Sequence, residues 1–453
     1  MDGLDRWIER QYRHAAAAML PSLSAVGIVK HRPGFGQTVT PRRGSIVASP
    51  VLAAYDPDPD YFFHWFRDSA VVIDALRLLA ADGSLSRAAA LEYFRDFLAF
   101  SLSLRALDGR ALVAAPAWRA GVQADFEKFV RSDAELATVH GERVAAEARV
   151  NPDATLDISK WARPQHDGPP LRLIAVLRWL REMPLERETS ERAAELIRSD
   201  IAFARARWRI PSFDIWEEEK GHHYYTLRVA ATALEEGAAW LETNGMAQEA
   251  QPCREDARAI VQRLDGYWLE DAGYYRSRML DSGERSTKEL DIAVIFSAIH
   301  ASGTGEGAHT VHDPRMQATL RRLDALFDGA YAINKSRPAG RGPAMGRYAG
   351  DVYYSGGAYY FSTLAAAELC YRAAAGSRVG RDESRTLTDR GDAYLETVRA
   401  FTPPSGDLSE QFDQKTGEQT SARHLAWSYA AFISCVVARR DAYRSQESVA
   451  PGA

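Results

Sequence analysis

The chain of 453 residues is 46% hydrophobic and 26% charged, a composition typical of a folded globular protein with a large core. Its formal net charge of −5 is spread over the whole chain, which argues against a nucleic-acid partner. The three cysteines, Cys253, Cys370 and Cys435, are too few and too scattered for a disulfide framework or a zinc site, so buried structural thiols are expected.

The first twenty residues, "MDGLDRWIERQYRHAAAAML", predict a charged helix rather than an export signal, because the apolar stretch is short and begins late. No run of 18 apolar residues follows, so no membrane contact is predicted. As it stands, the sequence predicts a cytoplasmic protein, whereas removal of an export signal would leave the same sequence in a periplasmic or secreted one. A monomer is expected.

Helical spacing dominates the chain, and strand signals are scarce. Six predicted helices are apolar nearly all round, which indicates burial on every side; they cover 65–80, 167–180, 224–241, 290–300, 356–372 and 421–440. Amphipathic, Arg- and Glu-rich stretches alternate with them at 86–104, 187–208, 247–264, 316–328 and 384–401. Inner helices enclosed by outer helices predict an all-α (α/α)6 barrel, with residues 1–453 forming one domain.

Unusual polar residues lie at or just before the starts of the inner helices. Parallel inner helices would bring these starts to one end of the barrel, where residues far apart in sequence would line a single pocket. The residues concerned are Arg67, Asp68, Asp167, Glu217, Glu218, Arg347, Asp351 and Glu410.

The segment "YFFHWFRDSA" places Arg67 and Asp68 after a run of aromatic residues that includes Tyr61 and Trp65. An Asp at a helix N-cap beside a surface Arg is an equally simple interpretation of the charged pair alone. The aromatic run favours a sugar site, because apolar walls with a few placed polar groups are typical of small-ligand pockets. The nearby "WARPQHDGPPLR" (161–172) is either a binding loop or a stiff proline-rich connector.

Three consecutive acids follow Trp216 in "FDIWEEEKGHHYY" (213–225). Acids in the first turn of a helix would explain one or two of them. A carboxyl group held against an indole ring and beside another carboxylate favours its protonated form, which suits a general acid. Glu410 and Asp413 lie in a polar segment before the last inner helix, and two carboxyl groups from distant segments are the equipment for glycoside hydrolysis.

These segments resemble glycoside hydrolase family 15, the glucoamylase family, and most closely its fungal-type catalytic domain. The matching segments run in the family's order and are "SIVASP" (45–50), "DYFFHWFRDSA" (60–70), "WARPQHDGPPLR", "FDIWEEEKG", "GRYAGDVYYSGGAYY" (346–360) and "LSEQFDQKTGEQTSARHLAWSYAAF" (408–432). Neither an N-terminal β-sandwich domain nor a C-terminal starch-binding module is expected. The likeness departs at Tyr359, where fungal enzymes have tryptophan, and at His222 and His223.

The resemblance implies a role for each matching residue. Glu217 corresponds to the general acid and Glu410 to the general base that activates water. Arg67 and Asp68 match the residues that hold the non-reducing glucose, and Tyr61 the one that helps position the water. Further substrate contacts are expected from Trp65, Trp161, Trp216, Glu218, Arg347, Tyr353, Ser421 and Trp427.

The function expected from the resemblance is that of an inverting, exo-acting glucan α-1,4-glucosidase that releases β-glucose from non-reducing ends without a metal or organic cofactor. Alternatives within the family are a glucodextranase that cleaves α-1,6 bonds or isomaltose, and a trehalase. Alternatives outside it are a sugar-binding protein on an inactive barrel, disfavoured because both glutamates are present, and an (α/α)6 phosphorylase, disfavoured because no basic phosphate-binding loop is evident.

Overall fold

The computed structural model describes residues 3–54, 57–302 and 307–448. The α-helices of the described residues are α1 Gly3–Met19, α2 Phe66–Ala81, α3 Arg87–Ser103, α4 Gly109–Ala114, α5 Asp133–Ala137, α6 Gly168–Glu182, α7 Arg187–Arg207, α8 Tyr224–Thr243, α9 Ala247–Asp265, α10 Ala293–His300, α11 Pro314–Ala330, α12 Ala332–Lys335, α13 Tyr360–Ala374, α14 Arg381–Phe401 and α15 Ala426–Ser448.

The strands are short and pair in small antiparallel ribbons. They are β1 Lys30–Arg32, β2 Gln37–Val39, β3 His64–Trp65, β4 Arg149–Val150, β5 Ser212–Phe213, β6 Lys220–His223, β7 Trp268–Leu269, β8 Tyr274–Tyr275, β9 Arg278–Leu280, β10 Gln411–Phe412 and β11 Gln419–Thr420. Turns of 3-10 helix are found at Leu20–Ser22, Pro33–Phe35, Leu104–Ala106, Pro116–Gly121, Ala124–Phe129 and Gly141–Ala146.

All six predicted apolar segments contain a helix, namely α2, α6, α8, α10, α13 and α15, and the five predicted amphipathic segments contain α3, α7, α9, α11 and α14. Burial follows the same division: every residue of α13 but Arg372 is buried, whereas α14 buries only one stripe. The apolar pattern therefore predicted which helices the core surrounds.

The chain divides into two compact units. Unit I comprises residues 20–54, 57–220 and 233–253, and unit II comprises residues 3–19, 221–232, 254–302 and 307–448. In unit I, α6 packs against α2 and α7, and α3 packs against α7. The buried Trp179 of α6 stacks on Phe94 of α3 at 4.4 Å and donates its indole N–H to the carbonyl oxygen of Ile73 in α2 at 2.9 Å. The Trp179 side chain of α6 therefore contacts both α2 and α3.

In unit II, α13 packs against α10, α14 and α15, and α15 also packs against α1. The Phe361 ring of α13 stacks on Trp427 of α15 at 4.8 Å, and Trp7 of α1 meets Phe432 edge-on at 5.5 Å. Cys370 and Cys435 are buried thiols of this core, and Cys253 is buried in unit I. Within the described ranges, no helix is both long enough and apolar enough to cross a bilayer.

Candidate active site

Glu217 lies in a tight turn that follows β5 and is organised by a buried aspartate. Oδ1 of Asp214 accepts hydrogen bonds from the backbone N–H groups of Trp216 and Glu218, both at 3.0 Å, and the N–H of Glu217 donates to the Asp214 carbonyl at 3.0 Å. Glu217 has a φ of +67°, which costs a non-glycine residue about 1–2 kcal/mol unless neighbouring bonds hold it. These acids do not form a first helical turn, since α8 begins only at Tyr224.

Three N–H donors converge on the Glu217 side chain. The indole of Trp65 donates to Oε1 at 2.8 Å, the amide of Gln165 donates to the same oxygen at 3.0 Å, and the indole of Trp161 donates to Oε2. A carboxylate accepts hydrogen bonds only, so all three donors match the acceptor oxygens of Glu217. The aromatic neighbours therefore act through their polar edges as well as through their apolar faces.

Arg67 provides the positive charge of this cluster from the first turn of α2. Its guanidinium donates to Asp167 at 2.9 Å and to the Gln165 carbonyl oxygen at 3.0 Å, and it lies 3.7 Å from Oε1 of Glu217 and 3.8 Å from Asp68. Burial opposes the charge, but the neighbouring carboxylates, Asp167 foremost, outweigh it and raise the Arg67 pKa above its usual range.

Asp68 is 8% exposed and faces the same guanidinium. Burial raises the pKa of Asp68 to about 6; Arg67 acts in the opposite direction, and Glu217 and Asp167 add to the rise. Burial is thus the main reason why Asp68 keeps a proton at a pH where an exposed aspartate would be ionised, and the Arg67 guanidinium only partly opposes it.

The aromatic side of the cluster is held by Arg149, the first residue of β4, which pairs with Trp65 of β3. Its guanidinium lies 3.5 Å from the centre of the Trp161 ring, 3.9 Å from Phe63 and 4.8 Å from Trp65. Tyr61 is half-buried, with its ring 5.2 Å from Trp65. Cation–π contacts of this kind fix the indole planes, so that both indole N–H groups point at Glu217.

Glu410 lies in unit II, immediately before the β10–β11 hairpin. It is 9% exposed, its side chain accepts a hydrogen bond from the Ser421 hydroxyl, and its N–H donates to the Ala422 carbonyl at 2.8 Å. Ser421 has a φ of +63°, so the chain cannot be helical there and turns its hydroxyl back to the carboxyl group. Asp413 instead caps the hairpin turn, accepting from the N–H groups of Lys415 and Thr416.

A second network of unit II surrounds Arg347. Its guanidinium makes a two-pronged ion pair with Asp351, which also accepts a hydrogen bond from the Tyr359 hydroxyl at 2.8 Å. Gln411 donates to the Tyr359 oxygen at 2.9 Å. Burial raises the pKa of Tyr359 well above its usual range, with Arg347 opposing the rise. The half-buried Tyr353 ring lies 5.3 Å from the Arg347 guanidinium.

Each unit therefore gathers its own share of the predicted site residues. Unit I brings Tyr61, Trp65, Arg67, Asp68, Trp161 and Glu217 into one contact network, with Trp216 and Glu218 flanking Glu217 in its turn. In unit II, Glu410 pairs with Ser421, Arg347 lies beside Tyr353, and Trp427 is buried against Phe361.

The sequence prediction missed several residues that hold these groups: Asp214, Gln165, Arg149 and Gln411. Asp214 lies within "FDIWEEEKGHHYY" and Gln165 lies within "WARPQHDGPPLR", so both belong to segments with predicted site residues. A side chain that positions another has no chemical signature of its own, however. Among the described residues, no group of three or more His, Cys, Asp or Glu side chains is arranged to hold a metal ion.

Several known proteins are similar to this chain in sequence or in structure. A glucoamylase of Neurospora crassa is 28% identical over 435 residues, covering 87% of this chain and 63% of the relative; the chain thus spans less than two thirds of that relative's length. The solved Hypocrea jecorina family 15 glucoamylase is 24% identical, with a TM-score of 0.78 over 97% of this chain and 72% of that one. The Saccharomycopsis fibuligera glucoamylase is 19% identical, with a TM-score of 0.77 over 98% and 96%.

The likeness to these solved structures confirms the predicted all-α, (α/α)6 fold class. The family model for glycosyl hydrolases family 15 matches residues 35–437, which is most of the chain and includes every residue of the two clusters. The resemblance that the motifs indicated is therefore confirmed: the chain belongs to glycosyl hydrolases family 15.

Proposed function

We propose that the protein is an inverting, exo-acting glucan α-1,4-glucosidase that releases β-glucose from the non-reducing ends of maltooligosaccharides or α-glucans. The observation that carries the proposal is the setting of Glu217, whose carboxyl group receives three N–H donors beside the Arg67 guanidinium. The relatives from Neurospora crassa and Hypocrea jecorina are named glucoamylases, which supports the proposal.

In this proposal Glu217 is the general acid. It delivers its proton to the glycosidic oxygen as the bond to the leaving sugar breaks, and it becomes a carboxylate. The hydrogen bonds from Trp65, Trp161 and Gln165 are strongest to that charged product, so they favour the transition state over the bound substrate. A hydrogen bond to a charged group contributes about 1.5–3 kcal/mol.

Glu410 is proposed to be the general base that takes a proton from the attacking water. The Ser421 hydroxyl donates to its carboxyl group, which stabilises the ionised form that a base requires. A carboxylate base and a carboxylic acid supply both proton transfers of an inverting hydrolysis, so no metal or organic cofactor is proposed.

Arg67 and Asp68 are proposed to bind the hydroxyl groups of the terminal glucose. Both side chains are buried, and buried charged groups are costly unless they are paired. A site that pairs them with the free hydroxyls of a chain end rejects a chain whose end is blocked. Glucose should therefore be the sole early product from a long maltooligosaccharide, and release of maltotriose or larger fragments would contradict the exo assignment.

The mechanism is tested by following the product and by removing each acid. Proton NMR of freshly released glucose should show the β-anomer, and an initial α-anomer would exclude inversion. Glu217→Gln and Glu410→Gln should each lower kcat by about 10²–10⁴-fold, with little change in substrate affinity. Glu219→Gln, an adjacent acid outside the proposed pair, is the control and should keep nearly full turnover.

Linkage is tested with maltose, isomaltose and trehalose as separate substrates. The proposal expects the highest kcat/KM on maltose. A higher value on isomaltose would identify a glucodextranase-type enzyme, and a higher value on trehalose would identify a trehalase.

A further inference from the structure

A cavity of unit I lies against Trp161, one of the two tryptophans that contact Glu217. It has a volume of about 520 Å³, within the range of small-molecule sites. Trp161 lines it, 40% exposed, and Ile210 lines it, 43% exposed. The same Trp161 ring donates its N–H to Glu217. This cavity, which we call the Trp161 cavity, is therefore separated from the proposed general acid by one side chain.

The Trp161 cavity carries a net positive charge. Two of its arginines, Arg131 and Arg163, are paired with the buried Glu147, which they contact at 2.8 and 2.6 Å, and Arg163 also contacts the buried Asp157 at 2.8 Å. The side chains of the other two, Arg143 and Arg207, have no ion-pair partner among the residues that the structure describes.

One further acid borders the Trp161 cavity. Glu135 belongs to a capping box at the start of α5: its carboxylate accepts from the N–H and the hydroxyl of Ser132, both at 2.8 Å. The Ser132 backbone lowers the Glu135 pKa, so the group is ionised and engaged locally. Arg143 and Arg207 together outweigh this single carboxylate. The two arginines thus give the lining a net positive charge that favours an anionic group.

The position of the Trp161 cavity indicates which part of a substrate would reach it. A general acid protonates the oxygen of the leaving sugar. Arg67, which is proposed to bind the terminal glucose, lies by Oε1 of Glu217, so a residue at Oε2 borders the leaving side of the bond. Trp161 is such a residue, and its exposed ring, with Ile210, offers apolar surface to a sugar ring. Arginine forks match the geometry of phosphate oxygens.

We propose that the Trp161 cavity binds a phosphate group carried by the leaving portion of the glucan, and that Arg143 and Arg207 bind its oxygens. This inference rests on the proposed function, because it takes Glu217 to be the acid that faces the leaving sugar. The enzyme then prefers maltooligosaccharides that carry a phosphate ester toward their reducing end over neutral ones of the same length.

The test compares maltotriose with maltotriose that carries a 6-phosphate on its reducing-end glucose. The ratio of kcat/KM, phosphorylated over neutral, should exceed one in the wild-type enzyme and should decline as NaCl is added, because salt screens exposed charges. Arg143→Gln and Arg207→Gln should each lower the ratio roughly tenfold, on the scale of one charged hydrogen bond. Arg198→Gln removes the same charge from an exposed position of α7 outside the Trp161 cavity and should leave the ratio unchanged.

Three outcomes would overturn the inference. The first is a wild-type ratio at or below one. The second is an equal fall of the ratio in Arg198→Gln, which would reflect the overall charge of the protein. The third is a ratio that neither Arg143→Gln nor Arg207→Gln lowers, which would place the phosphate outside the Trp161 cavity. Failure of the proposed function is distinguishable, since it would abolish glucose release from neutral maltotriose as well.

Discussion

Gln165 links the proposed acid to the cation beside it, and its replacement tests how the cluster stabilises charge. The Gln165→Leu variant keeps a side chain of similar size but removes three hydrogen bonds. The Gln165 amide donates to Glu217 at 3.0 Å and to the Ala162 carbonyl oxygen at 3.3 Å, and its own carbonyl oxygen accepts from Arg67 at 3.0 Å. Arg67 retains its bond to Asp167 at 2.9 Å. The guanidinium is thus still paired in the variant.

The lost bonds to Arg67 and to Glu217 have different consequences. The bond to Arg67 joins groups whose charge does not change during the reaction, so its loss lowers the free energy of unfolding but not kcat. The bond to Glu217 strengthens only as that carboxyl group gives up its proton, so its loss raises the barrier. A hydrogen bond to a charged group contributes about 1.5–3 kcal/mol, which corresponds to a fall in kcat of roughly 10- to 150-fold. KM should change much less.

The assay is steady-state glucose release from maltotriose, with thermal unfolding measured on the same preparations. Gln123→Leu, a substitution at an exposed glutamine of the same unit, is the matched control and should leave kcat within twofold of wild type. A Gln165→Leu variant that folds and retains kcat within about threefold, or whose defect is confined to KM, would contradict a role for the Gln165–Glu217 bond in stabilising the developing charge.

Three other expectations follow from single contacts. Because the Asp68 pKa is raised to about 6, ionising Asp68 weakens the fold as pH rises from about 4 to 6. In denaturant unfolding, the free energy of unfolding of Asp68→Asn should therefore rise relative to wild type across this interval, by about 2–3 kcal/mol at pH 8. A difference that does not depend on pH would contradict this. Ser421→Ala removes the hydroxyl donor of Glu410 and should lower kcat roughly tenfold, whereas a change below twofold would show that the contact is incidental. Trp179→Ala removes a fully buried ring and its bond to Ile73 and should lower the free energy of unfolding by about 3–5 kcal/mol; a loss below 1 kcal/mol would place the ring outside the core.

The helices of this protein were predictable because burial on all sides leaves a direct mark on the sequence. The run that forms α13 is almost free of charge, and the run that forms α14 is not. Helix starts were less predictable: α15 begins at Ala426, five residues after the predicted start, since Ser421 and His424 have positive φ values. Local side-chain contacts impose those conformations, and residue type alone does not signal them.

The three acids after Trp216 are a clearer example of a conformation that residue type alone does not predict. Their spacing to the next helix suggested a helical start, but the N–H groups that a helix would leave unsatisfied are taken by the Asp214 side chain. The chain then enters β6, where Gly221 faces Leu280 of β9, and a Cβ on Gly221 would lie 2.4 Å from the Met279 carbonyl oxygen. The partner strand lies almost sixty residues further along the chain, so no local pattern predicts it.

The residue types that carry charge or bind sugars were recognisable in the sequence, whereas the residues that orient them were not. Glu217 and Arg67 stood out because charged groups beside aromatic runs are rare. Gln165 and Arg149 act through Glu217, Arg67 and the indole rings, from positions up to about a hundred residues away. Such contacts exist only once the helices and ribbons have formed, and a single sequence holds no record of them.

The shared guanidinium gives the unit I cluster a property that none of its members has alone. Arg67 lies within 4 Å of Asp68, Asp167 and Glu217, so three carboxyl groups share one positive charge in a buried setting. Burial raises the pKa of Asp68 in this cluster to about 6, while the Arg67 guanidinium opposes the rise. In the proposed function, sugar hydroxyls that donate to Asp68 would favour its ionised form. The proposed sugar-binding pair and the proposed general acid thus share one arginine.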